Sequence, residues 1–115
     1  MVNVDLSSII EIGWNAFTST GVTTITLPGS CTKIGEGAFN KCANLITAFC
    51  YGSKPPFIET DNTDDSYIFG QVHNDFRIHV PYDRKRTYIN DNVFGTSNTN
   101  WWKKYSDIIL EMPQQ

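Results

Sequence analysis

Residues 34–45 read Ile34-Gly35-Glu36-Gly37-Ala38-Phe39-Asn40-Lys41-Cys42-Ala43-Asn44-Leu45, and this stretch decides the fold. An earlier copy begins at Ile12 and reads Ile12-Gly13-Trp14-Asn15-Ala16-Phe17. Both copies share the pattern Ile-Gly-x-x-Ala-Phe, and self-similarity at a fixed period is the signature of a repeat architecture. The sequence therefore predicts a short repeat protein, which can present a surface for binding without naming the molecule that binds.

Composition and charge exclude several classes of protein. The chain has 115 residues, which suits one domain, and 40% hydrophobic with 18% charged residues is ordinary for a soluble globular protein. A formal net charge of −3 gives no bulk attraction to nucleic acid or to an anionic membrane. No apolar run approaches the roughly 18 residues that membrane insertion needs. Residues 1–12 show no signal peptide, so either an intracellular protein or a removed leader fits the sequence.

Each full repeat contains a short strand. In the first, Val22, Ile25 and Leu27 are predicted to face inward with threonines between them, because Thr, Val and Ile favour a pleated, half-buried surface. Pro28-Gly29 ends that strand. In the second repeat the turn after Phe is one residue longer than in the first. The distance along the sequence between the two strands is therefore one residue greater than the distance between the two Ile-Gly motifs. The inward residues of the second strand are Leu45, Ala48 and Cys50.

The outward residues of these two strands are the candidate binding residues: Thr24, Thr26, Thr47, Phe49 and Tyr51. Exposed aromatic side chains beside a threonine ladder would make a contact surface for a protein or a sugar. The competing interpretation is that the cap or a loop folds over Phe49 and Tyr51. We favour that interpretation from the sequence, because natural monomers seldom leave large apolar patches open.

The repeat pattern Ile-Gly-x-x-Ala-Phe-x-x-Cys-x-x-Leu, followed by a short strand and proline, resembles the BspA-like leucine-rich repeats, a class of bacterial surface proteins. In that family the last coil commonly runs into a double proline, here Pro55-Pro56, and a later strand ends in Val-Pro, here Val80-Pro81. A short helix containing Tyr and a Trp-x-x-aromatic-x-x-Ile motif complete the pattern. The matching residues are Tyr88, Trp102, Tyr105 and Ile108, so the resemblance covers nearly the whole chain.

The resemblance implies a mostly β fold, a short leucine-rich-repeat solenoid with a small α-containing C-terminal cap. It also implies a non-catalytic protein-interaction or adhesion module of a secreted or cell-surface bacterial protein, with a protein or glycan partner and no cofactor. Two alternatives stay open: a purely structural terminal repeat-and-cap fragment, and an intracellular or phage-borne binding protein. We expect a monomer or a weak dimer, because the final strand could pair edge to edge with another copy.

Within one domain, residues 1–115, we distinguish a partial repeat (1–11), two full repeats (12–33 and 34–56), a divergent repeat (57–80) and a C-terminal cap (81–115). Three features depart from the family pattern. Thr20 stands where the first repeat would carry its cysteine. Residues 59–66 lengthen the divergent coil before Phe69, which we expect to take the Ala-Phe role, and residues 90–100 widen the gap before Trp102. Both insertions are polar and turn-rich, so they are predicted to be loops, where function tends to lie.

The cap is expected to cover the apolar face of the last coil. Asp83 is predicted to cap a helix that runs through Tyr88 and Ile89. The residues of the closing motif are spaced 3 and 3, so they share one helical face and are expected to pack on the last coil.

No pattern in the sequence points to catalysis or to a metal. His73 and His79 are the only histidines, and no nucleophile motif such as Gly-x-Ser-x-Gly accompanies them, so an enzyme is disfavoured. The acidic loop lacks the spacing of an EF-hand and is interpreted as solvated rather than calcium-binding; its carboxylates are Glu59, Asp61, Asp64 and Asp65.

The cysteines and the basic residues have ordinary interpretations. No CxxC pair exists, so the three cysteines are interpreted as core residues, with a disulfide or metal role as the alternative. They are Cys31, Cys42 and Cys50.

Five of the nine basic residues lie in the cap, and the acidic chain makes a solvated helix face the preferred interpretation over nucleic-acid binding. These five are Arg84, Lys85, Arg86, Lys103 and Lys104.

Overall fold

The computed structural model describes residues 3–4, 6, 8–60 and 67–114, whose strands form two parallel sheets. The larger sheet has the spatial order β1 (Asn3–Val4), β3 (Thr24–Leu27), β5 (Thr47–Cys50), β7 (Arg77–Val80) and β8 (Ile109–Glu111). The smaller sheet has the order β2 (Glu11–Ile12), β4 (Lys33–Ile34) and β6 (Phe57–Ile58). Two short helices follow β7: α1 (Lys85–Tyr88) and a 3₁₀-helix (Trp101–Ile108). Strands outweigh helices, which is consistent with a leucine-rich-repeat type of fold.

From β1 to β6 the chain visits the two sheets in turn, and each circuit adds one strand to each. In the smaller sheet Ile12 pairs with Ile34, so the two Ile-Gly motifs begin at matching positions of neighbouring strands. In the larger sheet Thr24 pairs with Thr47, a displacement one position longer than that of the isoleucines. Both registers are those predicted from the sequence, because the second copy has one additional position between Phe39 and its strand.

Alternate residues of the long strands turn inward, as the period-2 pattern predicts. These inward residues are Ile25, Leu27, Ala48, Cys50, Ile78 and Val80, none of them more than 1% exposed. The core residues predicted for the second repeat are also buried: Ile34, Ala38, Phe39, Cys42 and Leu45. The first repeat differs, since Ala16 is exposed and Phe17 is only half-buried.

Aromatic rings stack through the turns that connect the two sheets. The Phe17 and Phe39 ring centroids are 5.2 Å apart with planes 2° apart, and those of Phe39 and Phe69 are 5.8 Å apart with planes 13° apart. The prediction that Phe69 takes the Ala-Phe role in the divergent repeat is therefore confirmed. Ile68 occupies the place of the alanine, because its carbonyl accepts the N–H of Phe39 as the Ala38 carbonyl accepts that of Phe17.

Gly35 lies at a close approach of the first two coils. A Cβ at this position would be 2.7 Å from the backbone nitrogen of Trp14 and 2.8 Å from the carbonyl carbon of Gly13. Both neighbours are backbone atoms, so they cannot rotate away. A Cβ at Gly13, by contrast, would meet no atom within 4 Å.

Replacing Gly35 by alanine should therefore destabilise the protein by about 1–3 kcal/mol, the usual cost of overpacking a filled site. The matched change Gly13→Ala should leave stability within about 1 kcal/mol of the wild type or raise it, because alanine restricts the unfolded chain. Urea unfolding of the three proteins would measure both effects. Equal midpoints for the two variants would contradict the close approach of the coils at Gly35.

The three cysteines are free, buried thiols, as the core interpretation predicts. Burial raises the pKa of the Cys31 and Cys50 thiols, so both stay protonated and unreactive in the native state. The Cys42 thiol donates to the carbonyl of Phe17 with a sulfur–oxygen distance of 3.0 Å. Thr20, which stands in the cysteine position of the first repeat, lies beside Cys42 with 3.6 Å between Oγ1 and Sγ.

The cap covers the end of the aromatic stack. Trp102 is fully buried, and its ring meets the rings of Phe69 and Tyr88 edge-on at 6.2 and 5.5 Å. Tyr105 also meets Phe69 edge-on, at 5.5 Å. The predicted packing of this helical face on the last coil is thus confirmed. A 3₁₀-helix has three residues per turn, so the 3-and-3 spacing aligns these residues directly above one another.

The prediction that Asp83 caps the helix is wrong. Asp83 has a positive φ of 63° and precedes the N-cap residue, which is Arg84 and makes no capping side-chain hydrogen bond. A carboxylate near the end of the sequence accepts a hydrogen bond from the start of the helix instead: the N–H of Lys85 donates to Glu111 Oε2 at 3.1 Å. The helix also ends at Tyr88, so Ile89 is its C-cap rather than part of it.

Strand β8 is not predicted by the sequence pattern. It pairs with β7 in parallel register and adds a fifth strand to the larger sheet. Met112 continues the pairing through its N–H, which donates to the Val80 carbonyl at 2.7 Å. The strand has only three residues, and Pro113 follows soon after it. The edge-to-edge dimer stays a prediction.

Candidate interaction face

The candidate binding residues lie in register on the larger sheet. Thr24 pairs with Thr47, and Thr26 pairs with Phe49. Because neighbouring strands of a sheet lie about 4.8 Å apart, the paired side chains stand next to one another. The strands alternate half-buried and buried residues along their length, so these four side chains occupy the side that faces away from the core.

Two further residues extend these rows across β7. Arg77 pairs with Thr47, and His79 pairs with Phe49. Leu110 of β8 pairs with His79 and is 45% exposed. The sequence places His79 on the outward side of its strand but assigns neither it nor Arg77 to the site. Sequence reasoning misses Leu110 because the apolar run 108–110 fits the end of a helix as well as a strand.

Phe49 and Tyr51 are the two aromatic residues of this face. The Phe49 ring packs against the His79 ring, with centroids 5.2 Å apart and planes inclined by 31°, and it is half-buried. Tyr51 is 54% exposed. The expectation that the cap or a loop would cover both residues is therefore wrong for Tyr51.

The position of the cap explains why Tyr51 stays open. The cap packs on the end of the aromatic stack, at Phe69. The loop 90–100 reaches the other sheet instead, where the ring of Phe94 meets the ring of Phe57 edge-on at 5.2 Å. These contacts leave the Tyr51 side chain 54% exposed.

The outward side of the larger sheet offers contact chemistry rather than reaction chemistry. Threonine hydroxyls both donate and accept hydrogen bonds, the rings supply apolar area, and Arg77 brings a guanidinium. The other histidine lies in the turn before β7, where His73 Nδ1 accepts the N–H of Asp75 at 3.0 Å. Among the described residues, no three His, Cys, Asp or Glu side chains form a group that could hold a metal ion.

A separate, concave site lies at one edge of the two sheets. It is a cleft of about 310 Å³ between two turns of the repeats and the loop 90–100. Its apolar wall contains Phe57, Val93 and Phe94, and Lys54 supplies a charge. Cys31 also lines it, but burial raises the pKa of this thiol, so it is a poor nucleophile.

The acidic loop lies outside the described residues except for its beginning. Glu59 Oε1 accepts the indole N–H of Trp14 at 3.2 Å and lies 3.7 Å from the Lys33 ammonium. The calcium and solvated-loop interpretations of Asp61, Asp64 and Asp65 therefore stay predictions.

The basic residues of the cap lie on its surface. Lys103 pairs with Asp91 at 2.9 Å, and the Lys104 ammonium lies 3.2 Å from the centre of the Tyr67 ring. Arg84 and Arg86 are exposed and Lys85 is half-buried, an arrangement that fits the predicted solvated helix face. In the part of the chain that the structure describes, no helix is both long and apolar enough to cross a membrane.

Comparison with known proteins identifies the family. The family model described as "BspA type Leucine rich repeat region (6 copies)" matches residues 1–100. A search of curated proteins found no match. Repeats of this type occur in bacterial surface proteins, generally mediate protein interactions and are generally not enzymes. The match covers most of the sequence, including both Ile-Gly-x-x-Ala-Phe copies and the strands β3, β5 and β7, so this chain belongs to the BspA-type leucine-rich-repeat family.

Proposed function

We propose that this chain is a protein-binding module that holds its partner on the outward side of the larger sheet. The observation that carries the proposal is the exposure of Tyr51 beside the Phe49–His79 pair. A tyrosine that is 54% exposed supplies contact area at a low cost in conformational entropy, because its side chain has only two rotatable χ angles. Arg77 and the threonines surround these rings with polar groups, as the rim of a protein interface requires.

We also interpret the two parallel sheets as two sides of a short solenoid. The strand registers support this interpretation, because from β1 to β6 each circuit of the chain adds one strand to both sheets. The repeats then span 12–33 and 34–56, between a partial repeat at 1–11 and a divergent repeat at 57–80. The remaining segment, 81–115, forms the cap. The family suggests adhesion by a secreted or cell-surface bacterial protein, with a partner that is a protein or a glycan and with no catalytic role.

The test is binding of the purified domain to two separate arrays, one of host extracellular proteins and one of glycans. Tyr51→Ala should weaken binding to any protein hit by about 10-fold or more, since central tyrosines are frequent interface hot spots. Tyr82→Ala is the matched control, because Tyr82 is 51% exposed but lies beyond the end of β7. It should change the dissociation constant by less than about 2-fold.

Two outcomes would contradict this proposal. Equal losses for Tyr51→Ala and Tyr82→Ala would show that the sheet does not carry the contact. Silence on both arrays would favour the structural alternative, a terminal repeat-and-cap fragment. The closed cap supports that alternative, because Trp102 and Tyr88 are fully buried at the end of the aromatic stack.

A further inference from the structure

Trp14 is 68% exposed, more than any other large hydrophobic residue among those that the structure describes. One edge of its indole is nevertheless anchored, because the ring N–H donates to Glu59 Oε1 at 3.2 Å. Glu59 lies 45 residues later in the sequence. The ring of a residue in the first full repeat therefore reaches the divergent repeat.

The indole crosses the backbone of the second full repeat on its way to Glu59. Gly35 and Glu59 directly follow the paired residues Ile34 and Ile58, so they stand side by side at the end of the smaller sheet. A Cβ on Gly35 would be only 2.8 Å from Trp14 Cδ1, which is too close for a real contact. Only a residue without a side chain leaves room for the ring at this position.

Two charged groups lie at the anchored edge of the indole. Lys33 Nζ is 3.7 Å from Glu59 Oε1, and the two side chains are 41% and 33% exposed. The side-chain contacts of Glu59 with other described residues are made by Oε1, so Oε2 can accept a hydrogen bond from another molecule. The ammonium carries three N–H donors, and one ion pair does not use them all. An open aromatic ring, an acceptor and a donor are thus close together.

A pyranose sugar presents the groups that this surface can bind. One side of a sugar ring carries C–H groups, whose hydrogens are attracted to the negative face of an aromatic ring. The hydroxyls at its rim can donate to Glu59 and accept from Lys33. Indole faces also attract cations, but the Lys33 ammonium already lies beside the carboxylate that touches the ring. A ligand cation would have to compete with it, whereas a neutral sugar uses both groups.

We propose that Trp14, Lys33 and Glu59 form a binding site for a neutral pyranose residue of a glycan, with the sugar ring stacked on the indole. The site is separate from the candidate interaction face, because its residues lie along the smaller sheet, whereas Tyr51 follows β5 of the larger sheet. It does not depend on the protein-binding role proposed for that face.

The test is a nuclear magnetic resonance titration of the full chain with the methyl pyranosides of glucose, galactose, mannose and N-acetylglucosamine. At least one of them should shift the indole N–H signal of Trp14, which is identified by its absence from the spectrum of Trp14→Ala. The backbone N–H signal of Gly35, which lies against the indole, reports the affinity in every variant.

Two variants should weaken the binding of that glycoside. Trp14→Ala should weaken it by at least about 10-fold, since tryptophan is a frequent hot spot of binding surfaces. Glu59→Ala should weaken it by about 3- to 10-fold, the usual effect of one lost hydrogen bond. Tyr51→Ala is the matched control, because Tyr51 is also an exposed aromatic residue, and it should change the affinity by less than about 2-fold.

Three results would overturn the proposal. The first is an indole signal that none of the four glycosides shifts. The second is an equal loss of affinity for Trp14→Ala and Tyr51→Ala. The third is a signal that moves with tetramethylammonium chloride but not with the glycosides, since this would identify a cation site. A failure of protein binding at Tyr51 would leave these readouts unchanged, so the two proposals can fail separately.

Discussion

Replacing Trp102 by alanine should lower the free energy of unfolding by about 3–5 kcal/mol, the usual cost of truncating a fully buried aromatic side chain. For a domain of this size the melting temperature should fall by about 10–20 °C. The side chain is 0% exposed and lies between Phe69 and Tyr88. Its indole N–H also donates to the carbonyl of Pro56 at 2.7 Å, a bond that ties the cap to the end of the second repeat. The variant loses the packing and leaves that buried carbonyl unsatisfied.

Two companion variants separate the causes of this loss. Trp102→Phe keeps an aromatic ring but removes the N–H. Its melting temperature should therefore lie between those of the wild type and the alanine variant. Trp14→Ala removes the same side chain where it is 68% exposed, and it should cost less than about 1 kcal/mol. Thermal unfolding followed by far-ultraviolet circular dichroism would rank the four proteins. Similar melting temperatures for Trp102→Ala and Trp14→Ala would refute the role of Trp102 as the anchor of the cap.

Replacing Asn100 by aspartate should cost about 3 kcal/mol or more at neutral pH, although the shape of the side chain hardly changes. Asn100 is 6% exposed. Its amide nitrogen donates to the carbonyls of Tyr88 and Asn90, each at 2.8 Å, and its amide oxygen accepts the N–H of Trp102 at 3.1 Å. A carboxylate would lose both donors and place a negative charge against two carbonyl oxygens.

The pH dependence of this variant has a definite sign. Burial and the two carbonyls disfavour the anion, so the introduced carboxyl should have a pKa above its unfolded value of about 3.9. The variant therefore keeps its stability at pH values below the unfolded pKa and loses stability as the pH rises through the folded pKa. The deficit relative to the wild type should therefore be larger at pH 7 than at pH 4.

Asn98→Asp is the matched control for Asn100. Asn98 is exposed in the same loop, and its amide donates to the Phe94 carbonyl at 2.9 Å. Its replacement should cost less than about 1 kcal/mol and show little change between the two pH values. Urea unfolding at each pH would measure both variants. A deficit for Asn100→Asp that does not depend on pH would show that the introduced carboxyl is not buried in this network.

Much of the fold can be predicted because it repeats locally. The two Ile-Gly-x-x-Ala-Phe copies set the pairing of Ile12 with Ile34 in the smaller sheet, and the extra position after Phe39 sets the longer displacement in the larger one. The alternation of the short strands also predicts that Thr26 and Phe49 lie on the outward side. Phe69 can be assigned to the aromatic stack because Ile68-Phe69 takes in the divergent repeat the place that Ala-Phe has in the two full repeats.

The errors concern contacts between segments that are distant in the sequence. Asp83 is the local candidate for the helix cap, yet the carboxylate comes from Glu111, 26 residues after the N–H that it accepts. A covered Tyr51 is the wrong expectation because the sequence does not show in which direction the cap packs. Leu110 joins the candidate face only through the pairing of β8 with β7.

By itself, then, the sequence determined the repeat period, the two faces of each strand and the residues of the core, because these follow from side-chain alternation and from the identity of neighbouring residues. The tertiary structure alone decided which parts of the surface are closed and which stay open. Trp102 reaches the carbonyl of Pro56 across 46 residues and packs its ring against Phe69, whereas Tyr51 stays 54% exposed. The physical reason is that a local pattern fixes which side of a strand is apolar, whereas long-range packing fixes what covers it.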